Sequence, residues 1–174
     1  LKGTFRLAVL PTIAPYLLPR FFQQLSEKHT DLDIRMLEMK TAPTMAALQN
    51  GEIDAAIIAN QPTESNLQGD ILYYEQFFGY VAHNESIFKK DLIRTADIND
   101  ERLWLLDEGH CFRDQLMRFC QMEKVKVRQA AYRLGSLETF MRMVESGNGI
   151  TFIPELATLQ LSKEQKELVR PFAI

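Results

Sequence analysis

The residues best suited to covalent chemistry are Cys111 and Cys120, the only two cysteines in the chain. They lie in a segment that starts with an apolar run, residues 103–106, and continues through a turn into a pattern of helical period. The apolar positions of that pattern share one face: Phe112, Leu116, Phe119 and Cys120. The sequence therefore predicts a buried strand, a turn and a helix, with Cys111 at the start of the helix and on another face.

The spacing of the two cysteines sets a geometric constraint. In a continuous helix, the nine steps between them bring Cys120 to the side opposite Cys111, ~13.5 Å further along the axis. A disulfide requires Cα atoms about 4.4–6.8 Å apart. Either the segment is not a helix, or the cysteines pair only when it unwinds. Unwinding would be a liability in a structural disulfide, but in a redox switch it is the mechanism.

The two cysteines also have different predicted surroundings. The positive end of the helix dipole favours a thiolate at Cys111, and His110 and Arg113 can add to that field. A thiolate is the form of cysteine that attacks peroxides. Cys120 shares the apolar face and is expected to be buried as a small hydrophobic residue. Spacing alone nevertheless favours two ordinary thiols, because two cysteines carry little information.

The segment 109–115, of sequence GHCFRDQ and followed by Phe119 and Cys120, resembles the redox segment of the OxyR family. These are the bacterial peroxide-sensing regulators of the LysR type. Residues 10–19, 136–139 and 147–154 are similar to other blocks of LysR-type regulatory domains. The likeness covers nearly the whole chain. Its specific part is the Gly-His-Cys segment with a second cysteine nine residues later.

The resemblance implies roles for particular residues. Cys111 matches the peroxide-reactive cysteine, and Cys120 matches the resolving cysteine that condenses with it. Five further positions match residues that bind or polarise peroxide, or surround the reactive thiol: Thr12, Thr41, His110, Arg113 and Asp114. The chain departs from the pattern at residues 129–132, where some family members have a second histidine and this sequence has none.

The elements in the first third of the chain alternate between strand and helix. Strands are predicted at residues 5–10, 32–38 and 53–58, and helices at 15–29 and 44–50. This order implies a largely parallel sheet with binding sites at the carboxyl ends of its strands. Thr12 and Thr41 both follow strand ends, where they can equally act as helix N-caps.

The later elements suit a second α/β subdomain. A long aromatic strand at residues 72–82 is expected to cross between the subdomains, and a return strand is expected at 168–174. Between them we predict a short helix and loop at 89–97, strands at 130–134 and 150–153, and helices at 136–146 and 156–166. Residues 122–129 are charged and expected to be exposed.

The predicted fold class is therefore α/β, with two Rossmann-like subdomains of the periplasmic-binding-protein type joined by two crossover strands. Subdomain I comprises residues 1–74, continued by 168–174, and subdomain II, carrying the redox cysteines, comprises 75–167. The return strand lacks the further strand and helix that complete subdomain I in LysR-type domains, so we expect either a truncated chain or a disordered tail.

Composition narrows the function further. The 174 residues are 46% apolar and 25% charged, as in an ordinary globular protein, without a signal-peptide pattern or an apolar run approaching ~20 residues. A net charge of −3 argues against DNA binding by this part alone, since phosphate contacts need clustered Lys and Arg. No helix-turn-helix pattern is present, so the DNA-reading part of a transcription regulator would be missing.

The resemblance also implies partners. These are hydrogen peroxide, a homodimer or tetramer, RNA polymerase, a thiol reductant such as glutaredoxin or thioredoxin, and DNA through an N-terminal helix-turn-helix domain absent from this sequence. It implies a cytoplasmic location, with no membrane and no cofactor.

Other functions use the same residues. A nucleophilic hydrolase could pair Cys111 with His110 and orient a base with Asp114, but adjacent residues project in different directions. A peroxidase would share the first chemical step with a sensor and differ in turnover. The three histidines and two cysteines lack zinc-finger spacing. A solute-binding protein shares the architecture, and a LysR-type domain that binds an organic effector is the main alternative. We expect a regulator and not an enzyme.

Overall fold

A computed structural model describes residues 2–60, 66–98, 102–106, 110–120 and 135–173. Its contacts divide the chain into two compact units, Leu1–Tyr74 and Glu75–Ile174. In the part of the chain that the structure describes, each unit has its own three-stranded sheet. The α/β class predicted from the sequence is therefore observed in the described residues.

The sheet of the first unit is parallel, with strand order β2-β1-β3. Its strands and helices are β1 (Gly3–Val9), α1 (Ala14–Lys28), β2 (Leu32–Glu38), α2 (Thr41–Gln49) and β3 (Ala55–Ile57). The predicted alternation of strand and helix is confirmed, and the bounds of β2 agree with the prediction to the residue. Buried side chains on β1 and α2 meet in an apolar cluster with Ile53, which fixes the helix against the central strand.

The sheet of the second unit is antiparallel, with β4 (Phe77–Val81) between β5 (Ile150–Pro154) and β6 (Val169–Pro171). The other elements of this unit that the structure describes are four helices, α3 (Cys111–Phe119), α4 (Leu137–Glu145), α5 (Glu155–Thr158) and α6 (Lys163–Lys166), and two short 3₁₀ turns, Ser86–Lys89 and Thr95–Asp97. The N-cap predicted at Ser136 is confirmed, since its hydroxyl oxygen accepts a hydrogen bond from the Thr139 N–H at 3.2 Å.

Two strand predictions need correction. The expected strand at residues 72–82 is shorter, because β4 pairs only over the lengths of β5 and β6, and Leu72 and Tyr74 are exposed. The return strand, predicted to rejoin the first subdomain, pairs instead with β4 as β6. Residues 169–171 therefore belong to the sheet of the second unit. The division into two regulatory subdomains stays a prediction.

The predicted strand at residues 103–106 is buried but makes only one bridge, from Leu103 to Ile150. The Trp104 N–H donates to the Ile150 carbonyl at 2.8 Å, and Thr151 Oγ1 donates to the Trp104 carbonyl at 2.9 Å. This segment therefore attaches the chain before α3 to β5.

Three further predictions have different outcomes. The helix predicted at 156–166 is two short helices, α5 and α6. The strand at 130–134 and the exposed stretch at 122–129 lie outside the described residues. Among the helices that the structure describes, none combines the length and apolar character needed to cross a membrane.

Substitution of Gly149 tests how tightly the backbone packs against Trp104. Its φ is +78°, and an added Cβ would overlap the Arg102 carbonyl oxygen and lie 2.8 Å from Trp104 Nε1. We expect Gly149→Ala to lower the free energy of unfolding by about 2–4 kcal/mol, through backbone strain and overlap together. Urea denaturation provides the measurement.

Gly147→Ala is the matched control for this substitution. Its φ is also positive, +90°, but its Cβ would meet only Asn84 Nδ2, at 3.8 Å. It should cost only about 1–2 kcal/mol, from the backbone conformation alone. Equal losses in the two variants would contradict the packing argument.

Candidate redox site

Helix α3 carries one cysteine at each end. His110 is its N-cap, in an extended conformation with φ −96° and ψ 117°, Cys111 is its first residue, and Cys120 is its C-cap. Neither cysteine is joined in a disulfide. The helix predicted from the sequence is therefore present, and Cys111 occupies the predicted position at its mouth.

The helix keeps the two cysteines apart. The nine residues of α3 place them ~13.5 Å apart along the axis, beyond the about 4.4–6.8 Å that a disulfide permits between Cα atoms. The Cys120 N–H still donates to the Leu116 carbonyl at 2.8 Å, so the helical hydrogen bonds extend to the second cysteine. Disulfide formation would have to break this end of the helix.

Cys111 lies in a polar but water-poor first turn. Cys111 is 5% exposed, His110 is also buried, and Asp114 is exposed. The first turn of a helix carries the positive end of the helix dipole, which favours a thiolate. Arg113 Nη1 donates to the Leu106 carbonyl at 2.9 Å and ties this turn to the preceding segment. His110, Cys111, Arg113 and Asp114 thus all lie at the start of α3.

Cys120 lies in a different environment. It is 8% exposed, so burial does not separate the two thiols, but desolvation raises the pKa of the Cys120 thiol to about 11. The C-terminal end of a helix dipole also disfavours negative charge. Cys120 is therefore a protonated thiol at neutral pH. The predicted burial of this cysteine is confirmed.

Thr12 and Thr41 both belong to the first unit. Each lies three residues after a strand end, Val9 of β1 and Glu38 of β2, and these two strand ends are register partners. The threonines therefore lie at the same edge of the parallel sheet. The sequence had allowed both threonines to be helix N-caps, but the N-cap positions of α1 and α2 are occupied by Ile13 and Lys40, neither of which makes a side-chain capping hydrogen bond.

Thr41 has one further property. Its Oγ1 is buried and has no hydrogen-bond partner in the part of the chain that the structure describes. Buried hydroxyls are nearly always paired, and an unpaired one costs about 1–3 kcal/mol. Such a group is suited to a small ligand that supplies the hydrogen bond. Thr12 is buried as well.

Two aromatic contacts hold α3, and the sequence did not reveal either of them. Phe112 meets Phe77 edge-on at 5.1 Å between ring centroids, and Phe119 meets Phe172 edge-on at 4.9 Å. Phe119 was predicted to lie on the buried face but is 47% exposed. The prediction was wrong because helical period identifies a face but not how far its neighbours cover that face.

In the described ranges, His, Cys, Asp and Glu side chains form no group of three or more that could hold an ion.

Comparison with known proteins identifies the class. The model of the LysR substrate binding domain matches residues 1–174. The chain therefore belongs to the LysR substrate-binding domain family, whose fold is that of periplasmic binding proteins.

Within that family, the solved structures it matches include OxyR regulatory domains. An OxyR mutant from Porphyromonas gingivalis is 56% identical, with a TM-score of 0.93 over 99% of this chain and 78% of that chain. The reduced OxyR regulatory domain from Pseudomonas aeruginosa is 31% identical, with a TM-score of 0.84 over 99% of this chain and 83% of that one.

A curated relative gives the same result. The DNA-binding transcriptional dual regulator OxyR of Escherichia coli K12 is 31% identical over 157 residues, which are 90% of this chain and 51% of that protein. The chain spans about half the length of the curated relatives it matches.

The asymmetry between the thiols can be measured by alkylation. In Cys111→Ser, only Cys120 remains, and its rate should rise about tenfold per pH unit from pH 7 to pH 10, because its raised pKa keeps the thiolate scarce below about pH 11. At pH 7, Cys111 in the Cys120→Ser variant should be alkylated faster than Cys120 in the Cys111→Ser variant. In urea, which unfolds the chain, the two variants should be alkylated at equal rates. A plateau for Cys120 below pH 9 would contradict the assignment.

Proposed function

We propose that this chain is the redox-sensing regulatory domain of a LysR-type transcriptional regulator that responds to hydrogen peroxide. The observation that carries the proposal is the placement of two reduced cysteines at opposite ends of one nine-residue helix. The names of its relatives, hydrogen peroxide-inducible genes activators and OxyR, support the same function. A LysR domain for an organic effector would not require this pair.

The proposed chemistry has two steps. The Cys111 thiolate attacks one oxygen of hydrogen peroxide, the O–O bond breaks, and hydroxide leaves and takes up a proton, giving sulfenic acid and water. The Cys120 thiol then attacks the sulfenic sulfur, and the second water leaves as the disulfide forms. Two electrons pass from the thiols to peroxide in total. A thiol reductant, glutaredoxin or thioredoxin, would return the pair to its starting state.

Two groups of residues are proposed to handle peroxide. Thr12 and Thr41 would hydrogen-bond it, and the buried unpaired hydroxyl of Thr41 supports this role. His110, Arg113 and Asp114 would polarise it or adjust the charge around Cys111. Arg113 already donates one hydrogen bond to Leu106, so its other N–H groups are the ones proposed for the leaving oxygen.

The disulfide would act by changing structure. Because α3 keeps the cysteines ~13.5 Å apart, closing the bond must unwind part of it and move its apolar side chains. A conformational change of this size would alter the surface of the unit and could reorient attached domains. The oxidation is stoichiometric in this proposal, so the domain is a sensor and not an enzyme.

The partners follow from the same proposal. The full-length regulator would bind DNA through an N-terminal helix-turn-helix domain, assemble as a dimer or tetramer, contact RNA polymerase and act in the cytoplasm. The net charge of this chain, −3, supports placing the DNA contacts elsewhere.

Peroxide treatment followed by intact mass tests the chemistry. The wild-type chain should lose two hydrogens, and Cys120→Ser should gain one or more oxygens, because its sulfenic acid has no resolving thiol. Cys111→Ser is the control and should keep its mass at the same peroxide dose. Oxidation of Cys111→Ser at the wild-type rate would refute the assignment of the reactive cysteine.

Thr41→Val tests the peroxide-binding proposal through two opposite effects. Removing an unpaired buried hydroxyl should leave the stability unchanged or raise it by about 1 kcal/mol. Losing its hydrogen bond to peroxide should slow Cys111 oxidation by roughly two- to tenfold. Thermal denaturation and stopped-flow oxidation measure the two quantities.

Thr4→Val is the control for Thr41→Val. Its hydroxyl lies in the same unit but donates to Asp33 Oδ2 at 3.3 Å. It should not change the oxidation rate. A Thr41→Val protein that oxidises at the wild-type rate would remove Thr41 from the proposed site.

A further inference from the structure

Both ends of α3 are fixed by aromatic side chains to neighbouring strands of one sheet. Phe112, which follows the first cysteine, contacts Phe77 of β4. Phe119, which precedes the second cysteine, contacts Phe172 just after β6. Because β4 and β6 are hydrogen-bonded partners, the two contacts attach the helix to one rigid surface.

The two attachments are unequal. At the first end, Phe112 is 6% exposed, Leu116 is fully buried, and Arg113 holds the Leu106 carbonyl. At the second end, Phe119 is 47% exposed. Less apolar surface is lost when the second end detaches, so that end opens at the lower cost in free energy.

Phe172 is the fixed partner of the contact at the second end. Its ring stacks on that of Phe152, which is buried, with 5.7 Å between centroids. The backbone on either side of it is also bonded, because the Ile93 N–H donates to Pro171 at 3.0 Å and the Ala173 N–H donates to Ile93 at 2.8 Å. Phe119 is therefore the half of the pair that moves when α3 opens.

We propose that the Phe119–Phe172 contact is a latch that holds the Cys120 end of α3 helical and so controls how readily Cys111 and Cys120 form a disulfide. Phe119 is a positioning residue in this scheme, because it acts through Cys120. The inference rests on the proposed redox function of α3. The contact exists while the helix is closed and is lost in the disulfide form, so it stabilises the dithiol selectively.

The latch can be tested without peroxide, in buffers of glutathione and glutathione disulfide. The two protein thiols give up two electrons and two protons to one glutathione disulfide, which yields the Cys111–Cys120 disulfide and two glutathione thiols. Mass spectrometry after acid quenching gives the equilibrium constant. Since Phe119 is half exposed, its substitution should leave the unit folded.

Phe119→Ala should raise this equilibrium constant roughly two- to tenfold, the range expected for an aromatic pair. Phe172→Leu should raise the constant as well. The double variant should raise it by less than the product of the two single fold-changes, because both substitutions remove the same contact. Phe119→Tyr keeps the ring and should match the wild type. Leu159→Ala, another exposed apolar residue of the same unit, should also match it.

Two results would overturn the latch proposal. One is an equilibrium constant for disulfide formation in Phe119→Ala that equals the wild-type value, and the other is that the effects of Phe119→Ala and Phe172→Leu on this constant are independent. Phe119→Leu provides a second variant if Phe119→Ala fails to fold. A disulfide that forms with glutathione disulfide but not with peroxide would refute the proposed sensing function, while the glutathione equilibrium constants would still decide for or against the latch. A wild-type chain that forms no disulfide in either reagent would refute both.

Discussion

A nine-residue helix cannot bring its two ends within reach of a disulfide, and most properties of the redox site depend on that constraint. The hydrogen bonds of α3 and a bond between its terminal cysteines exclude each other. Forming the disulfide requires the Cys120 end of α3 to leave its packing, including the contact of Phe119 with Phe172, and each large apolar side chain that loses full burial costs roughly 1.5–3 kcal/mol. A disulfide opposed by such a loss is easier to reduce than a structural one, which suits a reversible change.

The same helix gives two chemically equal residues different properties. Cys111 lies at the positive end of the dipole, whereas Cys120 lies at the negative end, where burial raises the pKa of its thiol to about 11. Exposure does not distinguish them, since both are buried. The direction of the chain through α3 therefore supports the proposed roles, with Cys111 as the nucleophile and Cys120 as the resolving thiol.

Local patterns in the sequence predicted the features that depend on local structure. The bounds of β2, the capping of α4 by Ser136 and the start of α3 at Cys111 follow from alternation, capping chemistry and helical period. Features that depend on distant partners were not predictable. The length of β4 is set by β5 and β6, the cover over Phe119 comes from Phe172, and Arg113 bonds a backbone carbonyl, which has no side-chain signature.

Both cysteines are buried in the closed helix, and this limits the size of the molecules that can reach them. A molecule of two heavy atoms can approach Cys111 through the small motions of a packed interior, but a protein-sized thiol donor cannot. In the proposed switch, opening of α3 would place the new disulfide in a segment that has left its packing, where a large reductant could reach it. Oxidation and reduction would then be separated by steric exclusion, because the oxidant would act on the closed form and the reductant on the open form.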